Sequence, residues 1–350
     1  IGHPGGTLRA GGTVLAHSRP RQAPAVRTTV APDLERTAVA ALAGRLGGVV
    51  ALDPRSGEIL AFAGIAFSGL QPPGSTFKMI TLSGALEHGA TSLSDSFPVQ
   101  TGALLSGVEL ANANGESCGG SLANSFAESC NSVFGPMGVE LGPERLVATA
   151  EKFGFNSKPD IAGAATSTIP AAGEIGDDLA VGSTAIGQGR VQATALQMAS
   201  VAATIGLRGE RPRLTLDLNA ARRGDDAPAR RAMSAKTARI AERLMLGVVR
   251  YGTGTAAAIP GVKVAGKTGT AELKSTQECE VSEDPEASDE TCDSGNDPTD
   301  TDAWFAAYAP AGDGRPRVAV GVMLVRSGAG GDTAAPVARE LIAAALRRRA

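Results

Sequence analysis

Pro72-Pro73-Gly74-Ser75-Thr76-Phe77-Lys78-Met79-Ile80-Thr81-Leu82 is the stretch on which the reading of this chain turns. The two prolines and the glycine end a loop, and a helix is expected to begin at or near Ser75 and to run to about residue 87, closed by Gly89. Phe77, Met79, Ile80, Leu82, Ala85 and Leu86 clothe it nearly all round, the pattern of a buried helix. Residues three apart share a helical face, so Lys78 is expected beside Ser75. Burial pushes a lysine towards its neutral form, which can take a proton from a hydroxyl. A hydroxyl at a helix start also lies near free backbone N–H groups that can hold an oxyanion. An S-x-x-K spacing arises by chance often enough that, alone, it decides little.

Working outward, the apolar runs 48–52 and 58–62 flank Asp53-Pro54-Arg55-Ser56-Gly57, a β-hairpin with turn residues in place. Further helices are predicted at 122–134, 143–153, 193–205 and 235–251. Strands are predicted at 262–266, 303–308 and 318–325, with a closing helix at 336–347. Strands, then helices, then strands and a helix do not fit βαβ alternation. The fold class expected is α+β: an antiparallel sheet shared by both ends of the chain, flanked by helices, with a helical subdomain inserted. Residues 1–44 are Gly/Pro/Arg-rich and read as the remnant of an N-terminal module and linker, with a short strand at 12–16 and a helix at 34–46. Residues 45–350 form the main domain, with an acidic insertion at 275–302.

Two more elements carry chemistry. Ser129-Cys130-Asn131 places a hydroxyl and an amide two residues apart, suited to passing a proton and binding a peptide group; Ser294-Gly295-Asn296 matches the same pattern, and a cap or turn role is the plainer reading of Ser129. Its position after a helix and well separated from Ser75 favours the first copy. Lys267-Thr268-Gly269-Thr270 lies on the strand predicted to start near residue 262, although a turn after a strand is a reasonable reading of the tetrapeptide alone. Glycine in an edge strand permits close approach of a ligand backbone, and the lysine with two hydroxyls can hold a carboxylate.

S-x-x-K, S-x-N and K-T-G in this order resemble the signature of penicillin-binding proteins and related β-lactamases. The resemblance covers roughly residues 45–347, and it is closest to the transpeptidase domain of high-molecular-mass penicillin-binding proteins of class B type. Gly187-Gln188-Gly189 before Thr194-Ala195-Leu196-Gln197-Met198-Ala199, and the runs 267–272 and 303–310, look like further segments of that family. The acidic insertion departs from the shorter turn usual there and would overhang the site's edge.

The resemblance implies a peptidoglycan D,D-transpeptidase. Lys78 would deprotonate Ser75, which attacks the D-Ala-D-Ala bond of a stem peptide; the backbone N–H groups of Ser75 and Thr270 would form the oxyanion hole. Ser129 would deliver a proton to the departing D-alanine and Asn131 would bind the substrate amide. Lys267, Thr268, Gly269 and Thr270 would bind the terminal carboxylate. An amine from a second stem would resolve the acyl-enzyme. No metal or organic cofactor is called for. The partners implied are stem peptides, β-lactam antibiotics and a glycosyltransferase or other cell-wall synthesis protein, at the extracytoplasmic face of a bacterial plasma membrane. A serine β-lactamase, a D,D-carboxypeptidase and a β-lactam sensor share the acylating residues. The E-x-x-L-N pattern of one β-lactamase class is absent after Ser129, and Asn131 stands where another class favours S-x-V.

Composition is compatible with this reading and excludes others. Of 350 residues 43 % are hydrophobic and 20 % charged, ordinary for a globular protein with a sizeable core. Residues 275–302 hold eleven acidic side chains and no Lys or Arg; without them 25 acidic face 33 basic residues, about +8 on a net charge of −3 overall. No basic run interleaved with aromatics points to nucleic acid. Only His3, His17 and His88 exist, and no G-x-S-x-G elbow surrounds Ser75, so a Ser-His-Asp hydrolase is disfavoured. Nothing spans 18 apolar residues; the chain opens at Ile1-Gly2-His3 without an initiator Met and reads as a trimmed form whose anchor lies elsewhere. Cys279 and Cys292 sit in the acidic stretch, where a loop-closing disulfide and free thiols are both open readings, and no His stands near them to suit zinc. A calcium site within residues 293–302 lacks EF-hand spacing.

Overall fold

The computed structural model describes residues 4–23, 25–223, 230–272, 301–313 and 315–348. Apart from Thr301 and Asp302, the acidic insertion lies outside them, and with it the Cys279–Cys292 disulfide, the calcium site and the Ser294-Gly295-Asn296 triplet.

The hairpin forms as its sequence dictates. Asp53 accepts from the backbone N–H of Arg55 on its side chain (2.9 Å) and from that of Gly57 on its carbonyl (2.9 Å), an Asx-type turn in which Gly57 takes a φ of 74°. The strands Gly47–Leu52 and Ile59–Gly64 diverge from it. They extend an antiparallel five-stranded sheet whose order is Ala265–Glu272, Thr301–Ala309, Val318–Leu324, Gly47–Leu52, Ile59–Gly64. Strands from both ends of the chain thus share one sheet, as expected.

The inner strands are largely apolar on both sides because both faces of the sheet are covered. Val50, Leu52, Trp304, Ala306, Tyr308, Ala319 and Met323 join one core cluster; their alternating neighbours Val49, Ala51, Phe305, Ala307, Val320 and Val322 join the other. That is the period of two of a pleated strand. Helices Pro32–Leu42 and Ala334–Arg347 cover the second face. Helix Ala195–Gly206 covers the first, capped by Thr194 Oγ1, which accepts from Gln197 N at 3.1 Å. Gly321 lets it approach, since a Cβ there would lie 2.1 Å from Ala195 O. The inserted part between the serine helix and Ala195–Gly206 holds two short hairpins, Ser96–Gln100 with Cys118–Ser121 and Gly102–Leu105 with Val108–Ala111, and the helices Leu122–Ala127, Asn131–Leu141, Pro143–Phe153, Ala172–Ile175 and Asp178–Ala185.

Three boundaries differ from the sequence reading. The helix expected at 122–134 is two helices, broken at residues 128–130, where Ser129 takes a φ of 65°. The strand expected to start near residue 262 starts at Ala265 and runs to Glu272, with Lys267, Thr268, Gly269 and Thr270 on it as expected. The helix expected at 34–46 is Pro32–Leu42; its end is set by Ala43 in the left-handed region, and Leu34, Ala38, Ala41 and Leu42 are buried in the sheet's second core.

Candidate active site

Ser75 stands in a 3-10 turn, Gly74–Phe77, that leads directly into the α-helix Lys78–His88. Phe77, Met79, Ile80 and Leu82 are fully buried, each worth roughly 1.5–3 kcal/mol of burial, and they fix the helix in the core. The turn is seated on the sheet's edge strand. Gly74, at φ 50°, leaves room for a Cβ only 2.6 Å from Thr270 O, and one on Gly269 would meet Pro73 O at 2.7 Å. Any larger residue at either glycine would separate the serine turn from the strand.

That contact also orients the strand. Thr270 O lies on the Gly74 side, and within a strand a residue's N–H and C=O point the same way. Gly269, one residue earlier, pairs with Trp304. The open edge at Thr270 therefore presents backbone polar groups to the serine turn. The loop before the last helix closes over the same point, with Gly330 N donating to Thr270 Oγ1 at 3.4 Å.

Lys78 is fully buried. Its Nζ does not hydrogen-bond to Ser75, and Ser75 Oγ has no hydrogen-bond partner among the described residues. Lys78 Nζ donates instead to Ser129 O (2.5 Å), Asn131 Oδ1 (2.6 Å) and Ser129 Oγ (3.3 Å). A buried amine must find acceptors. The helix break at residues 128–130 supplies one, a carbonyl that an unbroken helix would have used internally. Burial holds Lys78 well below the ordinary lysine range, and the charge of Lys267 adds to this.

Lys267, also fully buried, reaches Ser129 Oγ from the other side at 2.8 Å and lies 3.2 Å from Thr268 O. Burial pushes it down to about 7, with Glu128 opposing. Ser129 Oγ thus bridges two lysines, neither of which is held firmly as a cation. A hydroxyl between two such amines can accept from one while donating to the other, which is a route for a proton. The two amines lie over Phe134 and Phe126, at 5.7 and 5.6 Å from the ring centroids, so an apolar floor excludes water beneath them.

The structure therefore gathers Ser75, Lys78, Ser129, Asn131, Lys267, Thr268, Gly269 and Thr270 along one edge, with Ser75 and Lys78 joined by a backbone hydrogen bond but not through their side chains. It adds residues that the sequence reading missed. Thr253 Oγ1 pairs with Thr268 Oγ1 at 2.6 Å, and Thr253 N donates to Ala127 O at 3.1 Å, tying the edge strand to the helix ahead of Ser129. Asn112 is buried; its side chain accepts from Ser132 N (2.8 Å) and donates to Gln100 O and Glu116 O (2.8 and 2.9 Å). Cys118 and Cys130 form a disulfide. Its one signal was arithmetic: setting aside the two cysteines of the acidic stretch leaves a pair.

The family model described as the penicillin binding protein transpeptidase domain matches residues 47–343. The chain is 34 % identical to the peptidoglycan D,D-transpeptidase PbpA of Mycolicibacterium smegmatis, over 92 % of this chain and 72 % of that protein. Among solved structures it resembles the D,D-transpeptidase domain of a peptidoglycan glycosyltransferase from Eggerthella lenta, with a TM-score of 0.78 and 31 % identity over 92 % of this chain and 82 % of that one. It also resembles the penicillin G acyl-enzyme complex of penicillin-binding protein A from Mycobacterium tuberculosis, with a TM-score of 0.76 and 30 % identity over 94 % and 82 %. Fold, motif order and these likenesses agree, and the chain belongs to the penicillin-binding protein transpeptidase domain family.

Proposed function

We propose that this chain is a peptidoglycan D,D-transpeptidase acting through Ser75. The observation that carries the reading is the convergence of two buried lysines on Ser129 Oγ, at 3.3 and 2.8 Å, beside a serine seated against an edge strand. Lys78, kept towards its neutral form, takes the Ser75 proton as Ser75 Oγ attacks the carbonyl between two terminal D-alanines. The backbone N–H groups of Ser75 and Thr270 stabilise the oxyanion; losing one such donor typically costs about 3–4 kcal/mol of barrier. The orientation of Thr270 towards Gly74 supports its part in this.

As the C–N bond breaks, the proton passes through Ser129 to the departing D-alanine amine, leaving an ester on Ser75. The amine of a second stem attacks that ester, and Ser75 regains its proton. Asn131 binds the donor's amide, and Lys267, Thr268 and Thr270 bind its terminal carboxylate, with Gly269 keeping the strand close. β-Lactams, which carry a comparable amide and carboxylate, acylate the same serine; that the M. tuberculosis relative forms a penicillin G acyl-enzyme complex supports this. Every role is filled by a side chain or amide of this chain.

The catalytic unit extends back past residue 45 to include the helix Pro32–Leu42, whose buried side chains share the sheet's second core, and the residues before that helix are the remnant of an N-terminal module and linker. The unit works outside the plasma membrane, together with a glycosyltransferase or another cell-wall synthesis protein. The Cys118–Cys130 disulfide supports an oxidising compartment. Among the described residues no helix is long and apolar enough to cross a membrane. The test is incubation with a donor pentapeptide ending in D-Ala-D-Ala and an amine acceptor, followed by mass spectrometry. A new donor–acceptor amide with release of D-alanine is expected. Release of D-alanine with only the hydrolysed donor would make the chain a carboxypeptidase instead.

A further inference from the structure

We propose that the Cys118–Cys130 disulfide is a positioning element for the acylation step, so that its reduction slows acylation in a protein that stays folded. The inference rests on the assignment of Ser75 as the acylated residue. Cys130 stands between Ser129 and Asn131, the two residues whose oxygens receive Lys78 Nζ. It lies in the break between two helices, where Ser129 holds a φ of 65°. This left-handed conformation is unfavourable for a residue with a side chain and persists only where the surroundings enforce it.

The disulfide is one of those surroundings. It spans 12 residues with a Cα–Cα distance of 5.4 Å and ties the break to the strand Cys118–Ser121, which is paired with Ser96–Gln100. The short helix Leu122–Ala127 is thereby clamped at both ends. Cys118 and Cys130 are 8 % and 1 % exposed, so the cross-link is packed into the wall of the site. Other tethers act on the same segment: Cys130 N donates to Ser125 O at 2.9 Å, Ser132 N to Asn112 Oδ1 at 2.8 Å, and Asn131 Nδ2 to Ala111 O at 2.8 Å. They maintain the fold when the disulfide opens. Apart from its contacts with Lys78 and Lys267, Ser129 itself is tied to the backbone by one 3.3 Å bond, from its N–H to Phe126 O.

Opening requires a dithiol reductant. Its two thiols become a cyclic disulfide, and Cys118 and Cys130 take up the two electrons and two protons as free thiols. Once released, Ser129 and Asn131 withdraw from Lys78 and water reaches its amine. A displacement of about an ångström in such a group lowers the rate on the order of 100-fold. Because burial is the first cause of the low basicity of Lys78, its pKa rises and the acid limb of the acylation profile moves to higher pH.

The experiment measures the second-order acylation rate by a fluorescent penicillin from pH 5 to 9, for oxidised protein, protein reduced with dithiothreitol, and reduced protein reoxidised with oxidised glutathione. Far-UV circular dichroism and the thermal midpoint are followed in parallel. We expect a fall of 10- to 100-fold on reduction, an acid limb moved to higher pH, retained secondary structure and recovery on reoxidation. Absence of acylation in the oxidised protein would refute the assignment of Ser75. Normal acylation in the oxidised protein with an unchanged rate and profile after reduction would overturn the inference alone, even if the thermal midpoint falls. If the reduced protein unfolds, the Cys118→Ala/Cys130→Val variant with native circular dichroism is assayed instead; an oxidised-like rate in it overturns the inference.

Discussion

Replacing Lys267 by methionine should stabilise the protein while disabling it, and the gain should depend on pH in a way that can be worked out. Lys267 is fully buried and its pKa is pushed down to about 7 from an ordinary 10.5. Such a base binds fewer protons in the folded state than in the unfolded state between those two values. Stability therefore rises with pH across that window and is flat below it. Integrating the linkage places the penalty of holding Lys267 in the fold at about 4 kcal/mol at pH 7 and about 2 kcal/mol at pH 9. Methionine has a similar length and no charge to desolvate. It forfeits the hydrogen bonds to Ser129 Oγ and Thr268 O, each worth about 1 kcal/mol net, so roughly 2 kcal/mol of stabilisation should remain at pH 7. Urea unfolding at 25 °C would show it, and the advantage of the variant should shrink by about 2 kcal/mol between pH 7 and pH 9. Acylation by penicillin should fall in the same variant. A variant no more stable at pH 7, with the same difference at pH 9, would refute the reasoning that burial holds this lysine near neutrality.

Other outcomes follow from the same geometry. Ser129→Ala removes the hydroxyl shared by the two lysines and should lower the acylation rate by about 10²–10⁴-fold, measured by stopped-flow with a fluorescent penicillin, with little change in far-UV circular dichroism. Wild-type acylation should fall off as pH drops through the pKa of Lys78, which burial places well below the ordinary lysine range, since only the neutral amine takes the Ser75 proton. Lys267→Met removes the positive neighbour that helps depress Lys78, so the remaining acylation should lose its acid limb at higher pH than the wild type. Gly74→Ala places a methyl 2.6 Å from Thr270 O at a φ of 50°; it should destabilise the fold by about 1–3 kcal/mol and lower acylation beyond what the stability loss explains.

Much of the fold was legible because it depends on local signals. The hairpin carried its turn chemistry in residues 53–57, and the strands carried their two-sided burial as unbroken apolar runs. The serine helix was legible for the same reason, since Pro72, Pro73 and Gly74 punctuate its start. The three motifs were legible from their spacing together with their order and position along the chain. What spacing could not give was the helix break at Ser129. The segment from Leu122 to Phe134 is helix-compatible throughout, and its interruption depends on a cross-link to Cys118 and a hydrogen bond from Ser132 N to Asn112, both set by tertiary contacts.

The direction of Lys78 was hidden for a related reason. An i, i+3 relation puts its Cα on the face of Ser75, but a long buried side chain goes where acceptors are, and those acceptors exist only because the helix breaks. The edge strand began three residues later than its apolar signal, because Val262 closes a turn in which it bridges Ile259, and Lys263 O is taken by Ala311 N beyond the strand partner's end. Thr253 was not legible as part of the site, since only the pairing of its hydroxyl with Thr268 gives it a place there.

Every step of the proposed transpeptidation depends on acylation at Ser75, which intact-protein mass spectrometry reads without intermediaries. Wild type and Ser75→Ala are incubated with benzylpenicillin and weighed over several hours. The account predicts a stable adduct of one penicillin on the wild type and none on the variant. An adduct of equal yield on Ser75→Ala would contradict it, and one that forms and disappears while penicillin is consumed would make the enzyme a β-lactamase.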